Sequence, residues 1–473
     1  MGTISSAFSI TAGALDADQE ALNIVANNVA NANTPGYTRE VPNWQENPPV
    51  LINGIANGDG VAQTGPTSVR DRVLTERLDQ QQQLASASGT RLTALNTLQA
   101  LFTPDSGSSS STAGDIGSDL TGFFNSFSSL EANPTDNALR QQVLSSASTL
   151  ASDVSNAASS LNSQRTALDE EASGVTSQVN ALTSAIAQVN RQITTISPNA
   201  DAGTLEDERQ QDLSRLSQLI GINQITTENN GLSIATTGGQ LLVSGSSSFQ
   251  MTSGPVDGIT HFFVGTVDAT SQLAAGGGQL GGYLTARDQD IPSVLSSLDQ
   301  LAYNVSTSVN ALNNAGTDLD GNTGTTADPL NIFNQPTTAA GSAANMSVAM
   351  TDPNRVAAAA LGKGTGDNSN ATAMADLANQ GIVDGQTPTD FYSSLVSDLG
   401  STVSEVETEN TAQNASVTQL QTQNNALSEV SLDDEASSMT TFERSYQAAS
   451  QVFTMLNTVI GSAINLGEST AVT

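Results

Sequence analysis

Between Val154 and Ile196 an apolar residue returns at every seventh position without a break: Val154, Leu161, Leu168, Val175, Leu182, Val189, Ile196. Ala158, Ala172, Val179, Ile186 and Ile193 make a second row four residues behind the first, with Arg165 as its misfit. Spacing by sevens and fours places both rows on one side of a helix, which is the grammar of coiled-coil packing. The segment 137–197 therefore predicts a helix on the order of 90 Å long at 1.5 Å per residue. It stops at Ser197-Pro198, because proline disfavours the helical region for the residue before it. Of the 473 residues 37% are hydrophobic and 4% aromatic, so the cores have to be built from Leu, Ile, Val and Ala. Such cores suit long helices and thin sheets, divided among several domains, better than one thick globule.

Both ends of the chain repeat the helical pattern. Phe8, Leu15, Leu22 and Val29 step by seven, with Thr11, Asp18 and Val25 as a mixed companion row. This predicts an amphipathic helix over about 4–31 that ends before Thr34-Pro35-Gly36, a type II turn signal. Near the other end Leu432, Met439, Tyr446, Phe453 and Ile460 step by seven, with Phe442, Ala449, Leu456 and Ala463 on the same face. Further helices are expected at 68–101, 204–220, from Ile291 to Leu312, and from about 390 to 427, the last with Asn410 and Asn424 at core-type positions. Prolines and glycines in 37–70 predict extended strands and turns. Asp105–Gly117 (DSGSSSSTAGDIG) reads as a flexible loop. Between 222 and 283 short runs such as GLSIAT, QLLVSG and ITHFFVG, punctuated by glycine, predict a small β-rich domain.

A single amphipathic helix of this length is marginal in water, so each terminal stripe needs a cover. The stripes either pack on the body of the protein or pair with each other and with copies in neighbouring subunits.

The net charge is −33 and Lys363 is the sole lysine, so polyanionic nucleic acid and anionic lipid surfaces are repelled. There are no cysteines, which removes disulfides and thiolate metal sites. The first basic residue is Arg39, so a positively charged secretory n-region is not expected, and no apolar run reaches membrane-spanning length. Catalytic, cofactor and metal sites are all expected to be absent. His261 is the one histidine and reads as structural. Asp318-Leu319-Asp320-Gly321-Asn322 reads as a turn, since it lacks the ligand schedule of a calcium loop. Asp169-Glu170-Glu171 and Asp433-Asp434-Glu435 read as solvated or capping charge, the second cluster in a helical first turn with Ser431 and Asp434 forming a weak capping box. Gly276-Gly277-Gly278 is not followed by Lys-Ser/Thr, so a phosphate loop is not indicated.

ANNVANANTPGYTRE (26–40) closely resembles the N-terminal signature of the rod, hook and hook-associated axial proteins of the bacterial flagellum. SLDDEASSMTTFERSYQAASQVFTMLNTVIGSAINL (431–466) resembles the C-terminal signature of the same family. SSLEANPTDNALRQQVLSSASTLASDV (128–154) and GGQLGGYLTARDQDIPSVLSSLDQLAYNVSTSVNALNNAGTDLDGNTG (277–324) resemble the hook-associated members that join hook to filament. The resemblance implies terminal helices that bundle into concentric tubes. It also implies that Asn27, Asn28, Asn31 and Asn33 satisfy amides and carbonyls of a neighbouring helix, that Pro35-Gly36 fixes the chain's exit, and that Tyr37 buries its ring with its hydroxyl bonded.

The expectation is a multidomain α+β protein. Residues 1–100 with 391–473 would form a discontinuous terminal-helix coiled-coil domain for polymerisation, and 101–221 with 284–315 a long-helix bundle. Residues 222–283 would be an outer β-rich domain and 316–390 a variable insert. The function implied is a structural subunit of the hook–filament junction, secreted by the flagellar type III route and extracellular. Its partners would be itself as a ring-forming homo-oligomer, the hook subunit, the second junction protein and an export chaperone, with no nucleic acid and no membrane insertion. Another axial protein, or an enzyme carried on axial-type ends, are the alternatives.

Overall fold

The computed structural model describes residues 2–52, 55–103, 116–197, 201–227 and 230–468. Helix α1 (Gly2–Asn31) leads through the turn at 34–37 into strand β1 (Glu40–Glu46), the small hairpin β2 (Val50–Ile52) and β3 (Ile55–Asn57), and β4 (Val61–Ser68). β4 returns antiparallel to β1, with a register shift between Pro42 and Trp44. Helix α2 (Arg72–Leu101) starts where Asp71 accepts from the amides of Val73 and Leu74, both at 3.0 Å, so the sequence expectation of 68 lies one turn early. The expected loop at 105–117 lies almost wholly outside the described residues.

Helices α3 (Ile116–Ala132), α4 (Asn137–Ile196) and α5 (Thr204–Leu219) follow. α4 runs 60 residues from an Asp136 cap to Ser197, as the heptads require. Its two halves serve different cores. Val143 to Leu168 packs with α3 and with α8 (Ile291–Ala315), in a core that α10 (Pro388–Ser428) shares. Ala172 to Ala187 packs with α5 and with the strands beyond it. The heptad row holds until the last turns, where Ile196 is exposed.

Those strands form two antiparallel sheets. β5 (Ile222–Thr226), β6 (Leu232–Thr236), β7 (Leu241–Ser244) and β8 (Ser247–Ser248) pair in order, and β10 (Ile259–Val264) sits between β9 (Met251–Val256) and β11 (Val267–Asp268). The β-rich stretch is shorter than the expected 222–283. Residues from Thr270 onward form helices α6 (Thr270–Gly276) and α7 (Gly278–Thr285), because their glycines admit close packing. A Cβ on Gly282 would stand 2.5 Å from the Ala87 carbonyl oxygen and 2.8 Å from Thr90 Cβ, so α7 presses directly on α2. Gly277 and Gly278 take positive φ, which explains the glycine run without a phosphate.

Residues 316–390 do not stand apart as an insert. Leu330, Ile332, Phe333, Met346 and Met374 share the core of α3, α4 and α8. The buried amides of Asn310 and Asn313 hold this segment: Asn310 accepts from the Phe333 amide (3.0 Å) and donates to its carbonyl (2.9 Å), and Asn313 Oδ1 accepts from Ala357 N (2.8 Å). β12 (Gly316–Thr317), β13 (Ala359–Ala360) and α9 (Ser369–Asp376) complete it. Asp318 Oδ1 accepts from the amides of Asp320 (3.0 Å) and Asn322 (2.7 Å), so DLDGN is a turn closed by its own aspartate. The chain returns along α2 as α10 and ends in α11 (Leu432–Glu468), which pairs with α1.

Replacing Gly282 by Ala is expected to lower stability by about 1–3 kcal/mol through overpacking against α2. Gly122→Ala, where nothing lies within 4 Å, should be neutral or slightly stabilising. Urea midpoints of the two variants check the contrast.

Candidate functional site

The two terminal segments meet at Asn28. It is 1% exposed and every hydrogen-bonding position of its amide is used. Nδ2 donates to the Glu40 carbonyl (2.8 Å) and to Glu435 Oε2 (3.2 Å). Oδ1 accepts from the Glu40 amide (3.0 Å) and from the Tyr37 hydroxyl (2.8 Å). Glu435, also 1% exposed, takes Arg39 Nε on its other oxygen at 2.6 Å. The Arg39 amide donates to the carbonyl of Ser428 at the end of α10 (2.9 Å). One asparagine, one arginine and one glutamate thus tie together α1, the strand after it, α10 and α11. Glu435 is therefore not the solvated charge expected of the 433–435 cluster, whereas Ser431 does cap weakly, accepting from Asp434 N at 3.4 Å.

The turn before Arg39 is built as its sequence predicts. Tyr37 N donates to Thr34 O (3.2 Å), and Gly36 has φ +82°, the value a type II turn needs at that position. Asn31 donates to the carbonyl and the Oδ1 of Asn27, and Asn27 Nδ2 donates to the Tyr37 hydroxyl (3.3 Å). The asparagines therefore fasten the helix end to its own turn. Asn33 and Pro35 remain exposed. Burial, then Glu40, Asp207 and Glu435, push the Tyr37 hydroxyl well above the ordinary phenol range, so it stays a donor. Glu40 is likewise held above the usual carboxylate range, first by burial and then by Asp201 and Asp207.

Beyond the turn, Thr38 docks on α5: its amide and hydroxyl donate to the two oxygens of Asp207 at 3.0 and 2.6 Å. Arg70 bridges Asp207 and Glu206, and Arg72 reaches Glu206 as well. Asp79 on α2, 1% exposed, accepts from Gln210 of α5 and Gln224 of β5, each at 2.9 Å. Burial pushes its carboxyl up to about 6, against which the two amide hydrogen bonds work.

Along α1 and α11 the pair runs antiparallel. Phe8 lies 4.3 Å from Phe453, and Phe442 meets Trp44 edge-on at 5.8 Å. Met439, Leu456 and Ile460 are half-buried on the same side, as are Leu15 and Leu22 of α1. The most buried face of α1 takes in the companion row, Thr11, Asp18 and Val25, together with Ala17, Ala21, Ile24 and Asn28. Val29 (40%), Leu432 (56%) and Tyr446 (38%) stay exposed. A second row of α11, Val452, Met455 and Val459 with Ala448, faces away from α1 and is exposed throughout. The sequence reading missed this row, although its spacing of four, three and four is visible once the first is assigned. It also missed Arg39, Glu435, Thr38, Arg70 and Asp207. The available signal was Arg39 itself, a lone base inside a motif of neutral amides in a strongly acidic chain.

His261 Nδ1 lies 2.6 Å from Asp268, whose carboxyl is held down to about 2, first by hydrogen bonds from Thr270 and then by His261. This is a hairpin clasp between β10 and β11. Among the described residues no group of three or more His, Asp or Glu converges as a metal site, and no helix is long and apolar enough to cross a membrane.

The family described as the helical domain of flagellar hook-associated protein FlgK matches residues 105–327, and the flagella basal body rod protein family matches 8–38. Flagellar hook-associated protein 1 of Salmonella typhimurium is 26% identical over 548 aligned residues, covering 96% of this chain and 98% of that protein. Its counterparts in Escherichia coli and Bacillus subtilis are each 26% identical, over 96% of this chain and 98% and 96% of theirs. The solved flagellar hook junction protein FlgK from Burkholderia pseudomallei superposes with a TM-score of 0.64 at 19% identity, covering 75% of this chain and all of that one.

Glu435→Ala strands the Asn28 amide and the Arg39 guanidinium and is expected to cost about 1–3 kcal/mol, read as faster amide exchange along α11. Asp79 is protonated more readily folded than unfolded, so its ionisation opposes folding above its folded pKa. That penalty disappears as pH falls from above 6 to below 3.8. Asp79→Asn should therefore be more stable than the parent at neutral pH, with the gap closing across that window in urea titrations.

Proposed function

As a member of the FlgK family of flagellar hook-associated proteins, this chain is, we propose, a non-enzymatic structural subunit that joins hook to filament by self-association through its terminal helices. The observation that carries this reading is the junction of Asn28, Arg39 and Glu435. It unites the two terminal signatures and turns an apolar row of α11 outward. Monomeric soluble proteins seldom leave such a row uncovered.

The mechanism is geometric. The junction fixes α1 against α11, so every copy presents the same outer face in the same direction. Of the residues expected at subunit contacts, Phe8, Leu15, Leu22, Asn27, Asn28, Asn31, Tyr37, Met439, Phe442, Phe453, Leu456 and Ile460 chiefly build this platform within one subunit. Val29, Asn33, Pro35, Gly36, Leu432 and Tyr446, with Val452, Met455 and Val459, remain for neighbours. Each apolar side chain covered on assembly contributes roughly 1.5–3 kcal/mol at full burial, so a ring can be held by many modest contacts.

The terminal region comprises 1–100 with α11 and the distal half of α10. The bundle and its 316–390 cover form the second body, and the sheets face outward. Partners in the reading are further copies of the chain, the hook subunit, the second junction protein and an export chaperone. Export through the flagellar type III apparatus would place it outside the cell. End-to-end coverage of the hook-associated relatives favours this assignment over other axial proteins.

Met455→Asp leaves the α1–α11 seam untouched and should keep the circular dichroism of the parent while abolishing incorporation into flagella. Normal incorporation of that variant would sink the role given to the outer row.

A further inference from the structure

Every copy of this chain carries a net charge of −33, so copies repel one another unless the surfaces that meet are matched in charge. The terminal pair has little to match with: α1 holds no basic residue, and α11 holds one, Arg444. Arg444 is exposed and has no ion-pair partner among the described residues. Its own helix offers it none, since the positions three and four residues away are Thr440, Thr441, Gln447 and Ala448. Four residues ahead of Ala448, it heads the exposed row of Ala448, Val452, Met455 and Val459, on the side of α11 turned away from α1.

Two acids of α1 are equally unmatched. Asp16 is exposed and Glu20 half-buried, neither has an ion-pair partner among the described residues, and as like charges four apart they disfavour their own helix. The third acid, Asp18, is buried. The fixed contacts of the seam set the heights of these groups. Phe8 meets Phe453 and Asn28 meets Glu435. Arg444 is midway between Glu435 and Phe453, and residue 18 is midway between Phe8 and Asn28. The cation thus stands level with residue 18, with Asp16 and Glu20 about 3 Å to either side along the axis at 1.5 Å per residue. Within one subunit it faces away from them. In a ring whose axis runs along the helices every copy keeps its height, so the Arg444 of one copy arrives level with Asp16 and Glu20 of the next.

We propose that the outer row of α11 docks on the exposed face of α1 in a second copy of this chain, where Arg444 bridges Asp16 and Glu20. The inference deepens, and rests on, the reading of the chain as a subunit that associates through its terminal helices. Ser9, on the same face of α1 as Asp16 and level with Val452, is short enough to admit the row. The apolar side chains adhere at any height. Arg444 admits one, because a slip by a turn leaves a guanidinium and two carboxylates unpaired beneath a covering that excludes water.

The test is charge exchange, read as the amount of this chain in isolated flagella, with circular dichroism of the purified variants as the check on folding. Arg444→Glu should keep the parent spectrum and lower incorporation about tenfold or more, since it sets like charges face to face. Combining Arg444→Glu with Asp16→Arg should bring incorporation back to within about twofold of the parent. Undiminished incorporation of Arg444→Glu would overturn the proposal. So would a folded double variant that fails to recover, which would mean that Arg444 answers a different flagellar protein. A second measurement leaves most copies' charges in place. Chains bearing only Asp16→Cys and chains bearing only Arg444→Cys are expressed together with the parent, which has no cysteine, and their flagella are treated with a short bismaleimide. A covalent dimer holding one of each is expected; its absence removes this inference alone. Absence of the parent chain from flagella would remove the axial reading, and this inference with it.

Discussion

The contact on which the arrangement depends spans 407 residues of sequence: the amide of Asn28 against the carboxylate of Glu435. A buried carboxylate is tolerated only when its oxygens are hydrogen-bonded and its charge is matched. Glu435 meets both conditions through Asn28 and Arg39, residues of the chain's opening motif. Neither terminal helix can slide or rotate without stranding one of these groups. Apolar contacts such as Phe8 on Phe453 tolerate slippage; a fully used amide does not. The polar junction sets register and the aromatic seam supplies adhesion.

The same division recurs further in. The middle of the chain is held to the ends by Asp201, Glu206 and Asp207, which engage Ser68, Arg70, Arg72 and Thr38. Arg39, Arg70 and Arg72 are all spent at such joints, in a chain that has 14 basic residues against 47 acidic ones. Between α2 and α10 the seam is apolar around Leu95, Leu98, Leu399 and Val403, and amide and hydroxyl further along, Gln81 to Gln413 and Ser88 to Asn410. Polar pairs of this kind specify alignment at some cost in stability, which suits a subunit whose copies must be identical in shape.

Long periodic elements were legible from the sequence because their signal repeats. α4 and both terminal helices follow from heptads alone, and the Pro35-Gly36 turn from two residues. The helices at 270–285 were not legible, since glycine-rich text reads as breaks unless one knows that α2 lies close enough to need them. The docking of 316–390 depends on Asn310 and Asn313, whose partners in that segment lie 17 or more residues away and leave no local pattern. At the site, the asparagines and Tyr37 were visible in the motif. Glu435 was not, because an acid in a helix's first turn has a sufficient local explanation that conceals its distant partners. The stripe of seven also drew attention from the companion row, where Asp18 and Thr11 look polar yet lie inside.

If the junction of Asn28, Arg39 and Glu435 sets the register of the terminal pair, that register exists before assembly. The chain has no cysteine, so spin labels can be placed cleanly at Ala30→Cys and Ser437→Cys, two exposed positions flanking the junction. Pulsed electron resonance on the free chain and on isolated flagella then reads the separation within one subunit, using labelled chain diluted in unlabelled. A single narrow distance, the same in both states, is predicted. A broad distribution in the free chain, or a different distance in flagella, would show that neighbours rather than this junction decide how the two ends meet.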